Sequence, residues 1–152
     1  MSLLMSITSY IDSYSSILIF ELSDEDYCIQ ISELKGILNA NDKEYSIENS
    51  LSNPGIVFKN TIYPFIDLTS ILKLKKKKFD KNSRILLIDY AKGVASIRVN
   101  QVKEILNIEK KIIEDLIKNG DESKMIRGKL KIDGKTLIML NFNEILSVKE
   151  NK

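Results

Sequence analysis

Two segments of the chain echo one another. "IYPFIDLTSIL", Ile62 to Leu72, and "TLIMLNFNEIL", Thr136 to Leu146, each run from an apolar strand through an Asp or Asn into a short stretch closing on Ile-Leu. A second pair, "LKGIL" (Leu34 to Leu38) and "VKEIL" (Val102 to Leu106), precedes them in the same order. Repeats that keep their order point to two similar β-rich halves, roughly 15–72 and 83–146. Each half is expected to be a small curled sheet closed by a short helix.

The punctuation between apolar runs supports a mainly β chain. "SILIFELSDEDYCIQI" reads as two strands joined by the polar turn Ser23 to Asp26, with Tyr27, Ile29 and Ile31 alternating against Cys28, Gln30 and Ser32. Cys28 is therefore expected to point outward. The polar stretch Asn39 to Asn53 reads as a mobile loop, and "PGIVFKNTIYPFIDL" as a second hairpin turning near Lys59 and Asn60. Proline cannot donate to a ladder, so Pro64 should mark an edge strand or bulge, a feature the second half lacks because Ile138 takes its place. Asp67 caps a short helix. "RILLIDY" and "GVASIRV" form a third hairpin around Ala91 to Gly93. Glu109 to Asn119 is helical, with Ile112, Ile113, Leu116 and Ile117 packed on the second half and a stop at Gly120. A fourth hairpin turns on Asp133-Gly134, and Asn141 with Glu144 begins the last helix.

Composition removes most chemistries. The 152 residues include no histidine, so Ser-His and Cys-His nucleophile pairs, an imidazole base and the commonest zinc ligands are all absent. No catalytic residue, metal site or cofactor is expected. One cysteine excludes an intrachain disulfide. The first twenty residues lack a basic leader and carry Asp12 within the apolar part, which argues against a signal peptide and for the cytoplasm. The run "KLKKKK", Lys73 to Lys78, lacks interleaved aromatics and reads as a solvated linker, with an anion-binding β-barrel module as an alternative. Three neighbouring acids in "SDED" rarely converge on a cation without further oxygen ligands.

Taken together, "ILIFELSDEDYCIQI", "PGIVFKNTIYPFIDL", "RILLID…GVASIRVNQVKEIL" and "MIRGKLKIDGKTLIMLNFNEIL" resemble the CheW family of chemotaxis coupling proteins, from about Ile17 to Leu146. In that family the strand before the first helix typically reads Leu-Arg-Gly-x-Ile-x-Pro-x-x-Asp-Leu. Phe58, Lys59, Asn60, Ile62, Pro64, Asp67 and Leu68 stand in those places, with Lys-Asn replacing Arg-Gly. Ile126, Gly128, Asp133, Gly134, Ile138 and Leu140 match the later elements.

The resemblance implies a single CheW-like domain over 1–152, mainly β, with two intertwined five-stranded SH3-like barrels and short helices. It further implies a non-catalytic scaffold joining chemoreceptor cytoplasmic tips to the regulatory domain of the histidine kinase CheA, cytoplasmic and associated with receptor arrays, with no nucleic acid partner and no membrane insertion. A CheW-like regulatory domain of a larger signalling protein would share this fold. Carried over residue by residue, the receptor surface comprises Ile31, Leu34, Gly36, Ile37, Lys59, Val99 and Asn100. Glu often stands at the Gly36 position and Asp at the Asn100 position in the family. Its Pro-rich connector is here replaced by "EKKIIEDLIKN".

Overall fold

In a computed structural model of the chain, residues 13–39, 45–48, 55–118 and 124–150 are described. The first hairpin is β1 (Tyr14–Leu22) and β2 (Glu25–Gln30), turning at Ser23 and Asp24, both at positive φ. A 3-10 turn, Ile31–Glu33, leads into β3 (Leu34–Asn39). There follow β4 (Tyr45–Glu48), β5 (Gly55–Phe58), β6 (Thr61–Ile66) and helix α1 (Leu68–Ile71). After the lysine run come β7 (Arg84–Tyr90), β8 (Gly93–Val99) and β9 (Gln101–Glu109), then helix α2 (Lys110–Lys118). The chain continues through β10 (Ile126–Ile132), β11 (Lys135–Leu140) and helix α3 (Phe142–Glu150).

The strands form two sheets, ordered β10-β11-β2-β1-β9 and β3-β7-β8-β6-β5-β4. Setting β4 aside, the two orders correspond one for one, β10 with β5, β11 with β6, β2 with β8, β1 with β7 and β9 with β3. Neither sheet is built from one half of the sequence. The 3-10 turn after β2 and the break at Asn100 after β8 carry the chain from one sheet to the other, so each half lends its first hairpin to its neighbour's sheet. Both echoes occupy matching places. "LKGIL" and "VKEIL" are the outer strands β3 and β9, each with a register shift that leaves Lys35 or Lys103 unpaired. β6 and β11 each run parallel to the second strand of the hairpin lent by the other half.

This exchange explains why "ILIF" and "ILLI" are continuously apolar: strands buried on both faces need no polar positions. Ile17 and Ile19 point into one barrel with Cys28, Leu137 and Met139; Leu18, Phe20 and Leu22 point the other way into a shared core. Likewise Ile85 and Leu87 join Leu38 and Ile56 in the second barrel, whereas Leu86 and Ile88 face the shared core with Ile97, Phe142 and Ile145. Cys28 is therefore buried rather than outward, because its alternate face lines a barrel interior.

Several further expectations are corrected. β6 lies inside its sheet, between β8 and β5, so Pro64 marks no edge. It sits at a handover: Gly55↔Pro64 ends the described pairing with β5, and Phe65↔Ser96 begins the parallel pairing with β8. The Pro64 carbonyl accepts from Ser96 Oγ at 2.9 Å, so a side chain serves the backbone at this junction. Within the expected loop Asn39 to Asn53, Tyr45–Glu48 instead forms a strand on β5; residues 40–44 and 49–54 lie outside the described residues, as do 1–12 and the expected stop at Gly120. On α2 only part of the apolar stripe is covered. Ile113 is buried and Leu116 half-buried, while Ile112 and Ile117 are 43% and 46% exposed. Both helix caps hold, with Ser70 N donating to Asp67 Oδ1 at 3.3 Å and Glu144 N to Asn141 Oδ1 at 3.3 Å.

Candidate binding surface

The 3-10 turn and β3 bring four of the seven expected residues together. Ile31 and Leu34 are half-buried against the shared core, Gly36 lies beside the bulge at Lys35, and Ile37 is 43% exposed. Alternation divides the strand: Leu38 fills a barrel while Ile37 is left on the outside. At the matching place on β9, Ile105 is likewise exposed. The turn is held from far along the chain by Arg127, whose Nη1 meets Glu33 Oε1 at 2.7 Å. Arg127 is the extra residue of a bulge in β10, between Ile126↔Leu140 and Gly128↔Met139, and a bulge re-aims a side chain. Burial pushes the Glu33 carboxyl above its ordinary range, against the opposing pull of Arg127, so this pair is partly desolvated.

Lys59 stands apart from this group. It is exposed at the β5–β6 turn, with φ of 49° beside 64° at Asn60, two left-handed residues that suit a tight hairpin. Its ammonium lies 5.2 Å from the centre of the Phe58 ring. In sheet order β7 and β8 separate β3 from this hairpin. The last two expected residues are corrected. Val99 has no exposed surface and belongs to the shared core, since Ala95, Ile97 and Val99 form the apolar side of β8. Asn100, 6% exposed, is an internal clasp: its backbone N donates to the Glu21 carbonyl, its Oδ1 accepts from Ser23 N at 2.9 Å, and its Nδ2 donates to the Lys78 carbonyl at 3.4 Å. Neither presents a surface to a partner in this conformation.

The acidic turn holds no metal-like cluster; lysines neutralise it. Lys77 Nζ reaches Glu21 at 2.8 Å and Asp24 at 2.6 Å, and Lys103 reaches Asp26 at 2.8 Å. Hydrogen bonds to those carboxylates raise the pKa of both ammoniums. Burial pushes the Cys28 thiol and the Tyr27 phenol each up to about 12, so neither is poised to ionise at neutral pH. Among the described residues no group of acids, cysteine or histidine is arranged to hold a metal ion, and no helix is long and apolar enough to cross a membrane.

Sequence reasoning missed Arg127, Glu33 and Lys77. The signal for Glu33 is a carboxylate inside the apolar "ISELKGIL". Nothing local marks Arg127 as its partner 94 positions away.

Paired sheets of matching order around a shared core define a two-barrel protein of the SH3-like kind. The chain belongs to the CheW-like domain family, which matches residues 16–150. Among solved structures it is similar to the scaffolding protein TtCheW from Thermoanaerobacter tengcongensis, with a TM-score of 0.71 and 23% identity over 86% of this chain and 91% of that one. A comparison with curated proteins found no match.

Proposed function

We propose that this chain is a non-catalytic scaffold that couples chemoreceptor cytoplasmic tips to the regulatory domain of the kinase CheA, working beside membrane-bound receptor arrays. The observation that carries this reading is the family match over residues 16–150, the span that supplies nearly all of both sheets. The halves 15–72 and 83–146 are read as a duplication whose products exchanged hairpins. The receptor surface is read as Ile31, Leu34, Gly36 and Ile37 with Lys59, leaving out the buried Val99 and Asn100. An adaptor of this kind works by linking weak contacts, so that each bound partner raises the effective concentration of the next.

The test is co-sedimentation of the purified chain with receptor-bearing membranes, with and without CheA. Lys59→Glu reverses a charge at a turn tip and should weaken receptor association by roughly ten- to a hundredfold. Thermal stability should hardly change, because an exposed turn residue with one ring contact contributes little to folding. Association with receptors equal to wild type, or loss of receptor and kinase together through unfolding, would remove Lys59 from the surface.

A further inference from the structure

The lysine run is not a loose tail. Leu74 packs against the shared core and its N–H closes the end of α1 on the Thr69 carbonyl at 2.9 Å. Lys77 is committed to Glu21 and Asp24, the Lys78 carbonyl accepts from Asn100, and the Phe79 ring carries the Arg98 guanidinium at 4.6 Å from its centre. Anchors at both ends thus fix a strap from which Lys75, Lys76 and Lys78 project into solvent with no ion pair among the described residues. Beside the strap lies a recess of about 320 Å³ lined by Asp67, Thr69, Lys76, Lys77, Lys78 and Phe79. The Asp67 carboxylate is occupied as a helix cap, accepting from Ser70 Oγ at 2.7 Å.

We propose that this strap docks an acidic segment of a partner protein, its carboxylates paired with Lys75, Lys76 and Lys78. A backbone held at both ends loses less freedom on pairing than a disordered tail, which favours a specific contact over diffuse attraction. A single-stranded nucleic acid gains from aromatic rings free to stack on bases, and Phe79 is half-buried beneath Arg98. Anionic lipid headgroups would draw on the same charges across a plane, whereas Lys76 and Lys78 line a recess that suits a narrow segment.

The strap is also separate from the Lys59 turn. β6 runs parallel to β8, which puts the Lys59 turn toward Gly93, while the strap meets Arg98 and Asn100 at the other end of β8. This inference goes beyond the scaffold reading and does not depend on it.

The experiment measures fluorescence anisotropy of labelled oligoglutamate on addition of the full chain, against oligoglutamine, anionic phosphatidylglycerol vesicles and single-stranded DNA. Oligoglutamate should bind, and binding should weaken as salt screens the exposed charges. The triple variant Lys75→Gln, Lys76→Gln, Lys78→Gln should weaken it at least about tenfold. Lys110→Gln, Lys111→Gln, Lys118→Gln on α2 removes the same net charge elsewhere and should leave it unchanged. Circular dichroism confirms that both variants fold. Equal losses in the two variants, no loss in the strap variant, or binding to vesicles or DNA but not to oligoglutamate would each overturn the proposal.

Discussion

Gly128→Ala tests how α2 is seated. A Cβ built at Gly128 comes within 2.6 Å of Leu116 Cγ and Cδ2 and 3.1 Å of the Leu116 carbonyl oxygen. Carbon atoms in good contact stand about 3.5–4.0 Å apart, so the overlap is about 1 Å. Rotating the leucine relieves only part of it, because the carbonyl belongs to the helix backbone. The whole of α2 must therefore retreat from β10, loosening Ile113, which is 4% exposed. Overpacking of this kind costs about 1–3 kcal/mol, and replacing glycine within a strand returns about 0.5–1 kcal/mol. The net expectation is a loss of up to about 2.5 kcal/mol, centred near 1 kcal/mol, which lowers Tm by about 2–4 °C for a chain of this size. Urea unfolding followed by circular dichroism should show a lower midpoint at unchanged slope. In a Leu116→Ala background the same glycine change should cost less, with a coupling of at least about 0.5 kcal/mol. Gly128→Ala as stable as wild type, or equally costly in both backgrounds, would refute the argument that helix seating sets the need for glycine.

Two further outcomes follow from local geometry. Lys73 occupies the left-handed residue just past α1, at φ of 55°, donating to the Ser70 carbonyl at 3.2 Å, so Lys73→Gly should raise stability by up to about 1 kcal/mol in the same urea assay. Cys28 and Tyr27 hold their protons in the folded state to about pH 12, whereas the unfolded chain releases them near their ordinary values of 9.0 and 10.0. Stability is thus full below about pH 9 and falls as pH rises toward 12, by about 1.4 kcal/mol per pH unit for each group. A urea midpoint flat from pH 8 to 11, or Cys28→Ala failing to reduce the slope between pH 9 and 10, would contradict the cause assigned.

The local grammar of this fold is plain in the sequence. Hairpin turns at Ser23-Asp24, Lys59-Asn60 and Asp133-Gly134 and the caps Asp67 and Asn141 stand where expected. These depend on backbone preferences and side-chain bonds spanning a few residues. What the sequence concealed is nonlocal. Alternation against Tyr27 and Ile29 does not say which side faces which core, so Cys28 reads as outward, and the resemblance puts Val99 on a surface although it belongs to the shared core. Pro64 suggested an edge because a missing donor is locally unacceptable in mid-ladder; only the change of partner from β5 to β8 shows where it fits. For the candidate surface, "ISELKGIL" puts four of the expected residues on one turn and strand, yet the clamp from Arg127 depends on a bulge in a strand that follows much later.

The exchange of hairpins governs how such a chain can be divided. A fragment ending before β7 would own β1 and β2, which belong to one sheet, and β3 to β6, which belong to the other, and would complete neither. Cutting at the midpoint therefore severs no domain boundary, and a nascent chain must hold its first hairpin in waiting until β9 emerges to pair with it at Tyr14↔Glu109. Because the strand orders match, however, two identical fragments have the parts to supply one another reciprocally, the leading hairpin of each seated in the remainder of its twin. Mixing complementary pieces should restore the molecule at concentrations high enough to offset the freedom lost on association.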